Sequence, residues 1–323
     1  MASLLVGYIS GSSVELARVS ERKDGIRLVS QSVFDARQFT SFDSILRLYL
    51  RKSKAEFTTA CLGVAGPVIG ETVSTTKLAW RINSADLKRD FGFRKVRLVN
   101  DVVASAYGIS QLEPDLIYMI NNGVEGAKGN LGLISAGSGL GEAIIYVEGG
   151  KQRPIASEGG HADFAPANQL ETELWQYFYS ELGRVEVEDV VSFSGLESIF
   201  NFLVDTQSGK RAGWLDDTDD RPAKIIEMAL AGKDETALRA LDIFVDCYAS
   251  EAANLALKGM TLGGIYIGGL IAPGIVTVLD RGRFMKRFVK RGKMETMLSQ
   301  IPVGVIIEER TPLLGAAALG MTL

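Results

Sequence analysis

Hydrophobic and polar positions alternate at the start of the chain in three short runs, LLVGYIS, VELARVS and IRLVSQSVF, separated by the turn-forming stretches SGSS and SERKDG. A period of two bounded by such residues predicts an antiparallel meander. The period then lengthens, because FDSILRLYLRK repeats its apolar residues at helical spacing. TTACLGVAG predicts a buried strand, SADLKRDFG a short helix, VRLVN another strand, and DVVASAYGI a helix that begins directly after it. The order is three strands followed by alternating helix and strand.

The same order restarts at about residue 128, where LGLIS, GEAIIYV and QRPIAS form a second set of β-rich runs with AGSGLG as the first turn. LETELWQYFYSEL and the stretch from Glu235 to Lys258 predict helices, the latter with Leu238, Leu241, Val245, Tyr248, Ala252 and Leu255 on one face. LGGIYIGG and VGVIIEE read as strands, PLLGAAALG as a closing helix, and Asp216 to Asp220 as a solvated loop. Two βββαβα halves, each with a glycine- or serine-rich turn after its first strand, resemble the plan of actin, the heat-shock chaperone ATPases and sugar kinases. The expected fold class is therefore α/β, a duplicated actin-like ATPase (ribonuclease H-like) fold with two domains around a cleft. The domains expected are a small one at 1–111, completed by a C-terminal helix at 311–323, and a large one at 112–310. In that plan the backbone N–H groups of two turns hold nucleotide phosphates.

Composition narrows the class. A chain of 323 residues with 46% hydrophobic content supports one large core or two modest ones, and its length favours two. The net charge is -4, and the short basic run KRFVKRGK at 286–293 reads as a solvated helix face, so nucleic acid is not an expected partner. Cys61 and Cys247 lie far apart in apolar surroundings without metal-ligand spacing, which predicts buried, reduced thiols and no structural metal. MASLLVGYIS lacks the basic start and long apolar core of a secretory signal, so a cytoplasmic location is expected. Residues 259–279 carry no charge and have the length of a membrane span. The five glycines between 262 and 279, with Pro273 among them, predict instead a buried strand, a tight turn and a helix start, and no membrane association.

Three stretches carry candidate chemistry. In AGSGLGE, Gly137, Gly139 and Gly141 let backbone amides approach an anion, and the Ser138 hydroxyl adds a donor; a plain hairpin turn explains the glycines equally well. In VNDVVAS, Asn100 and Asp101 stand where a buried strand meets a helix. Either residue serves there as an N-cap, or the Asp101 carboxylate at the strand's carboxyl end accepts the proton of a substrate hydroxyl. In SEGGHADFAP, Glu158 and His161 flank a bend that the glycines permit, and a carboxylate with an imidazole suits a polyol, whereas a lone loop histidine is more often solvated or a cap.

Longer segments carry a resemblance. LGVAGPVIGETVSTTKLAWRI, VNDVVASAYGI, SAGSGLGEA, SEGGHADFAP, VEVEDVVSFSGLESIF, GGIYIGGLIAP and TPLLGAAAL follow the order of the corresponding segments of bacterial ATP-dependent glucokinases of the non-ROK group. The resemblance covers nearly the whole chain, and EGGHADFAP together with NDVVA and GSGLG is specific as a combination. The cysteine-rich zinc motif of the repressor-type sugar kinases has no counterpart here. Carried over by residue, the resemblance implies Asp101 as catalytic base toward the 6-hydroxyl of glucose, with Asn100, Glu158, His161 and Glu188 binding the other hydroxyls. It implies ATP and Mg²⁺, with phosphates at Gly11 and Ser12 and at the turn holding Gly137, Ser138, Gly139 and Gly141, and with Gly268 and Gly269 near the adenosine. A homodimer follows from the resemblance only.

The chain departs from the family pattern on the nucleotide side. Where the first phosphate loop reads D-x-G-G-T, this sequence has YISGS, so Tyr8 stands for a carboxylate and Ser10 for a glycine. A phenol is neutral near pH 7 and does not replace a carboxylate beside a divalent ion. Leu270 and Phe193 stand for glycines, and Lys77 for asparagine. These letters leave two alternatives beside the glucose kinase: a catalytically impaired sugar-binding or regulatory protein on the same scaffold, and a kinase using another phosphoryl donor.

Overall fold

The computed structural model describes residues 3–22, 25–53, 55–75 and 77–323, so Lys23 and Asp24 of the expected SERKDG turn lie outside the described residues. Contacts divide the chain into two compact units. The first holds residues 1–114, 152–156 and 308–323; the second holds 115–151 and 157–307.

In the first unit β1 (Ser3–Ile9), β2 (Ser13–Arg22), β3 (Gly25–Asp35), β4 (Phe57–Val64) and β8 (Lys95–Asn100) form a sheet in the order β3-β2-β1-β4-β8. The meander pairs antiparallel, and β1, β4 and β8 run parallel. The alternation in β1 sends Leu5 and Ile9 to a core with Ile45 and Tyr49 of the helix Phe42–Ser53. It sends Val6 to the opposite core, with Val103 of the helix Asp101–Ile109 and Leu313 and Ala317 of the helix Thr311–Gly320. Each such fully buried side chain contributes roughly 1.5–3 kcal/mol of apolar transfer, which explains why the period of two was legible. A small three-stranded sheet of β5 (Val68–Ile69), β6 (Thr72–Ser74) and β7 (Arg81–Asn83) completes this unit.

The six-stranded sheet repeats the order. β9 (Ile117–Asn121), β10 (Leu131–Ala136), β11 (Leu140–Glu148), β12 (Lys151–Ser157), β13 (Gly264–Gly268) and β14 (Val303–Ile306) form a sheet ordered β12-β11-β10-β13-β14-β9. Strands β10, β13 and β14 are parallel, as β1, β4 and β8 are in the first sheet; β9 adds an antiparallel edge. The long helix Glu235–Gly259 backs the sheet with Phe244, Tyr248 and Leu255 in the core. Both thiols are buried, and burial pushes Cys61 up to about 12 and Cys247 well above the ordinary thiol range, so neither is a nucleophile near neutral pH. Among the described residues no helix is long and apolar enough to cross a membrane.

Two expectations are corrected. The run 286–293 is not wholly a solvated face, because Arg287 turns inward and donates from Nη2 to both oxygens of the buried Glu171, at 2.6 and 2.8 Å. A buried carboxylate needs a paired cation, and a planar guanidinium supplies it. Residues 216–220 are not a plain loop either: a 3-10 turn spans Gly213–Asp217, and Asp220 caps the helix Arg221–Leu230 through Ala223 N at 3.2 Å.

The helices Asp101–Ile109 and Thr311–Gly320 touch backbone to backbone, for a Cβ at Gly315 would overlap the carbonyl oxygen of Ala104. Gly315→Ala is therefore expected to destabilise the protein by about 2 kcal/mol or more, as overpacking does in close-packed interiors. Thermal melting checks it; an unchanged melting temperature would show that the helices separate without cost.

Candidate active site

Each unit presents some of its candidate residues where parallel strands end. In the first, Asn100 closes β8 and Asp101 opens the following helix. Asn100 Oδ1 accepts from Val102 N at 3.0 Å and Val103 N at 3.2 Å, and its Nδ2 donates to the Gly66 carbonyl at 3.3 Å. The cap is thus real, and it holds the side chain in one orientation. Asp101 Oδ1 accepts from Val102 N at 3.0 Å, and Gly63 of β4 gives the helix start room beside the strand.

Residues 10–13 turn the chain from β1 into β2. Ser10 Oγ accepts from Ser13 N at 2.9 Å and from Ser12 N at 3.3 Å, so the serine in the glycine's place occupies amides of the turn itself. The stem of Lys77 lies over Gly11, where a Cβ would be 3.0 Å from Lys77 Cδ. Burial first, then the nearby charges of Asp101 and Glu15, raise the Tyr8 phenol far above its ordinary range. Tyr8 is therefore a neutral group close to Asp101.

In the second unit the turn after β10 lies beside the turn after β13. Gly137 N donates to Gly139 O at 2.9 Å, and Ile271 N donates to Ala136 O at 3.2 Å. Gly269 adopts φ +86° against the Ala136 backbone, a conformation that a side chain would oppose. The exposed Leu270 lies alongside Gly137. Gly141, by contrast, is a strand residue paired with Ser135. Phe193 N donates to Gly137 O at 2.8 Å, so its backbone supports the turn whatever side chain it bears.

Glu188 joins this turn to the bend that holds Glu158 and His161. Its Oε2 accepts from Leu140 N at 2.8 Å, and a Cβ on Gly139 would come within 2.5 Å of the same oxygen. Val187 N donates to Ala162 O, and Phe164 N to Val185 O, both at 2.9 Å, which stitches the bend after Glu158 to the segment carrying Glu188. His161 Nδ1 and Glu186 Oε2 are 2.6 Å apart. That hydrogen bond raises the imidazole pKa; partial burial opposes it, and the charges of Glu188, Glu186 and Glu158 add to the rise.

Sequence reasoning missed Glu186 and Arg184. Arg184 donates from Nη1 to Glu186 Oε1 at 2.7 Å, from Nε to Asp163 Oδ1 at 2.8 Å, and from Nη2 to the His161 carbonyl at 2.9 Å. These residues fix the ring that His161 offers. The signal available was the charge alternation in GRVEVED, which by itself does not say that 184–188 folds back onto 161–164.

The sequence profile of the family described as Glucokinase matches residues 5–322. The chain belongs to the glucokinase family. A family glucokinase from Nostoc punctiforme is 32% identical over 335 residues, covering 98% of each chain. A crystal structure of the glucokinase of an Antarctic psychrotroph superposes with a TM-score of 0.84 at 28% identity, covering 100% of both chains. The glucokinase of Balamuthia mandrillaris, solved in complex with glucose, shares the fold, with a TM-score of 0.85 at 20% identity over 99% of this chain and 94% of that one. The fold is thus that of the actin-like sugar kinases, as the duplicated strand order already implied.

His161 is the chain's single histidine, so its proton resonances are unambiguous. Its raised pKa means that its contribution to stability is complete below the ordinary 6.5 and is lost as pH rises through the folded value. Glu186→Gln is expected to bring the NMR-measured pKa of His161 down toward 6.5. Identical titration curves for both proteins would show that Glu186 does not set it.

Proposed function

We propose that the protein transfers the γ-phosphoryl group of ATP to the 6-hydroxyl of glucose. The observation that carries the reading is the family match over nearly the whole chain, joined to a bend where His161 is hydrogen-bonded to Glu186, Glu188 accepts from Leu140 N, and Glu158 stands exposed beside them. Carboxylates accept from vicinal hydroxyls and an imidazole accepts or donates, so this set suits a hexose.

Asp101 takes the proton from O6 as that oxygen attacks the γ-phosphorus; the new O–P bond forms while the bond to the β,γ-bridging oxygen breaks and ADP leaves. The first helical turn and the Asn100 cap hold that carboxylate in place. The turn at Gly137–Gly139, at the end of a parallel strand, offers backbone N–H groups to phosphate oxygens, with Gly268 and Gly269 beside it for the nucleotide. Gly11 and Ser12 supply the second phosphate turn. Mg²⁺ would supply charge neutralisation at the transferred phosphoryl group. The residues fit that role only in part: Tyr8, kept neutral, is no ligand for a divalent ion, and among the described residues no group of three acidic, histidine or cysteine side chains is placed to hold one. The family resemblance extends the reading to a cytoplasmic homodimer, which light scattering of the purified protein tests.

Asp101→Asn keeps the shape and removes the base. It is expected to lower kcat by about 10²-fold or more with the KM for glucose within about threefold, the signature of an interaction made in the transition state. A coupled assay over a panel of hexoses reads both constants, and turnover of the variant equal to that of the parent would overturn the assignment.

A further inference from the structure

Glu142 is a buried carboxyl that phosphoryl transfer leaves without a task. It is 3% exposed, sits in β11 directly after Gly141, and faces Ile134 across the ladder. On one side lies the helix Glu235–Gly259, from which the equally buried Glu251 approaches. Glu251 Oε2 accepts from Asn254 Nδ2 at 2.9 Å, and its Oε1 from Lys258 Nζ at 3.5 Å. On the other side lies the bend. A Cβ on Gly159 would overlap Glu142 Oε2 and lie 3.2 Å from Ser157 Oγ, and a Cβ on Gly160 would overlap the Leu140 carbonyl oxygen. The two glycines of SEGGH therefore rest on the Leu140 backbone and the Glu142 carboxyl.

The electrostatics decide the protonation of this pair. Two adjacent buried carboxylates lie near one ammonium, Lys258, with the Arg291 guanidinium acting on Glu251, and the other titratable side chain of that helix near them, Tyr248, is neutral. The bend contributes the Ser157 hydroxyl and two glycines, with no charge against Glu142. Burial first, then the charge of Glu251, push Glu142 up to about 8, Lys258 opposes, and a hydrogen bond to Glu251 adds to the rise. Burial beside a second carboxylate thus favours the protonated form of Glu142, hydrogen-bonded to Glu251. Its Oε1 has no hydrogen-bond partner among the described residues, so an ionised Glu142 would be a buried charge with one oxygen uncompensated.

We propose that the Glu142 carboxyl, neutral and hydrogen-bonded to Glu251, is a positioning group for sugar binding: it is the floor of the Gly159–Gly160 bend and sets where Glu158 and His161 meet the sugar. The inference rests on the reading of Glu158 and His161 as sugar ligands. Raising the pH through about 8 removes the proton, and repulsion between Glu142 and Glu251 then loosens the floor. Sugar affinity falls with it.

The experiment compares Glu142→Gln and Glu142→Ala with the parent from pH 6.5 to 9.5. Gln imitates the protonated acid at every pH. It is expected to keep the glucose KM of the parent at pH 7 and to lose the parent's rise in KM above pH 8. Ala leaves a cavity under the bend, and is expected to raise the glucose KM about tenfold with kcat and the ATP KM within about threefold. Hydrogen exchange of residues 157–163 without sugar supplies a readout independent of catalysis: Ala is expected to exchange faster there, Gln as the parent does. A Gln variant as impaired as Ala, an unchanged alkaline KM profile in Gln, or unchanged exchange in Ala would overturn the proposal. A parent that shows no glucose binding by calorimetry would overturn instead the sugar-site reading, and the exchange result would still report on the floor.

Discussion

The second unit depends on a close backbone approach. The first residues of β11 lie directly under the bend at Gly159 and Gly160, while the carboxylate of Glu188 lies against Gly139 and Leu140. Three segments distant in sequence meet there at separations that admit no Cβ. Interiors pack at crystal-like density, so a contact of this kind holds its neighbours to a few tenths of an ångström. Glycine is required at 159 and 160 because a carboxyl and a carbonyl occupy the space where a side chain would begin. The polar groups at the bend are then fixed from behind: Arg184 spans Asp163, Glu186 and the His161 carbonyl, and Glu186 holds the imidazole. Preorganisation of this kind moves ordering cost out of the binding step.

The two turns that follow the first strand of each half meet the same topological demand with different chemistry. After β10 the chain turns on glycines, and a backbone bond from Gly137 to Gly139 closes it. After β1 a backbone bond from Ser10 N to Ser13 O is joined by the Ser10 hydroxyl, and a half-buried, neutral Tyr8 stands near Asp101. The second turn has the Glu188 carboxylate against it, whereas the first has a side-chain hydroxyl and the Lys77 stem.

Much of the fold was legible. The meander of β1 to β3, the strands β4 and β8, both central helices and the restart at β10 follow from periods of two and of about 3.6, since each strand or helix must show its apolar side to a core. The strands β5, β6, β7 and β9 were not: unlike the equally short β13 and β14, which are buried apolar runs, most of their residues are exposed or half-buried, and their pairing is decided by neighbours. Arg287 was misread for a related reason: a basic run says nothing of which member faces Glu171. Among the proposed site residues, Asp101, Glu158 and His161 stood out in short motifs and Glu188 through the family resemblance, but Glu186, Arg184 and Glu142 did not, as their roles arise from what they touch.

The sequence by itself determined the duplicated α/β plan, the family, and the residue types available for a hydroxyl, a proton and a phosphate. These rest on local period and on motifs, which the order of letters contains. Only the tertiary structure decided that Asn100 caps its helix, that Tyr8 is half-buried and neutral, that His161 is tied to Glu186, and that Glu142 lies beneath Gly159. Burial and the proximity of charges set pKa values and orientation, and both are properties of distances between residues far apart along the chain.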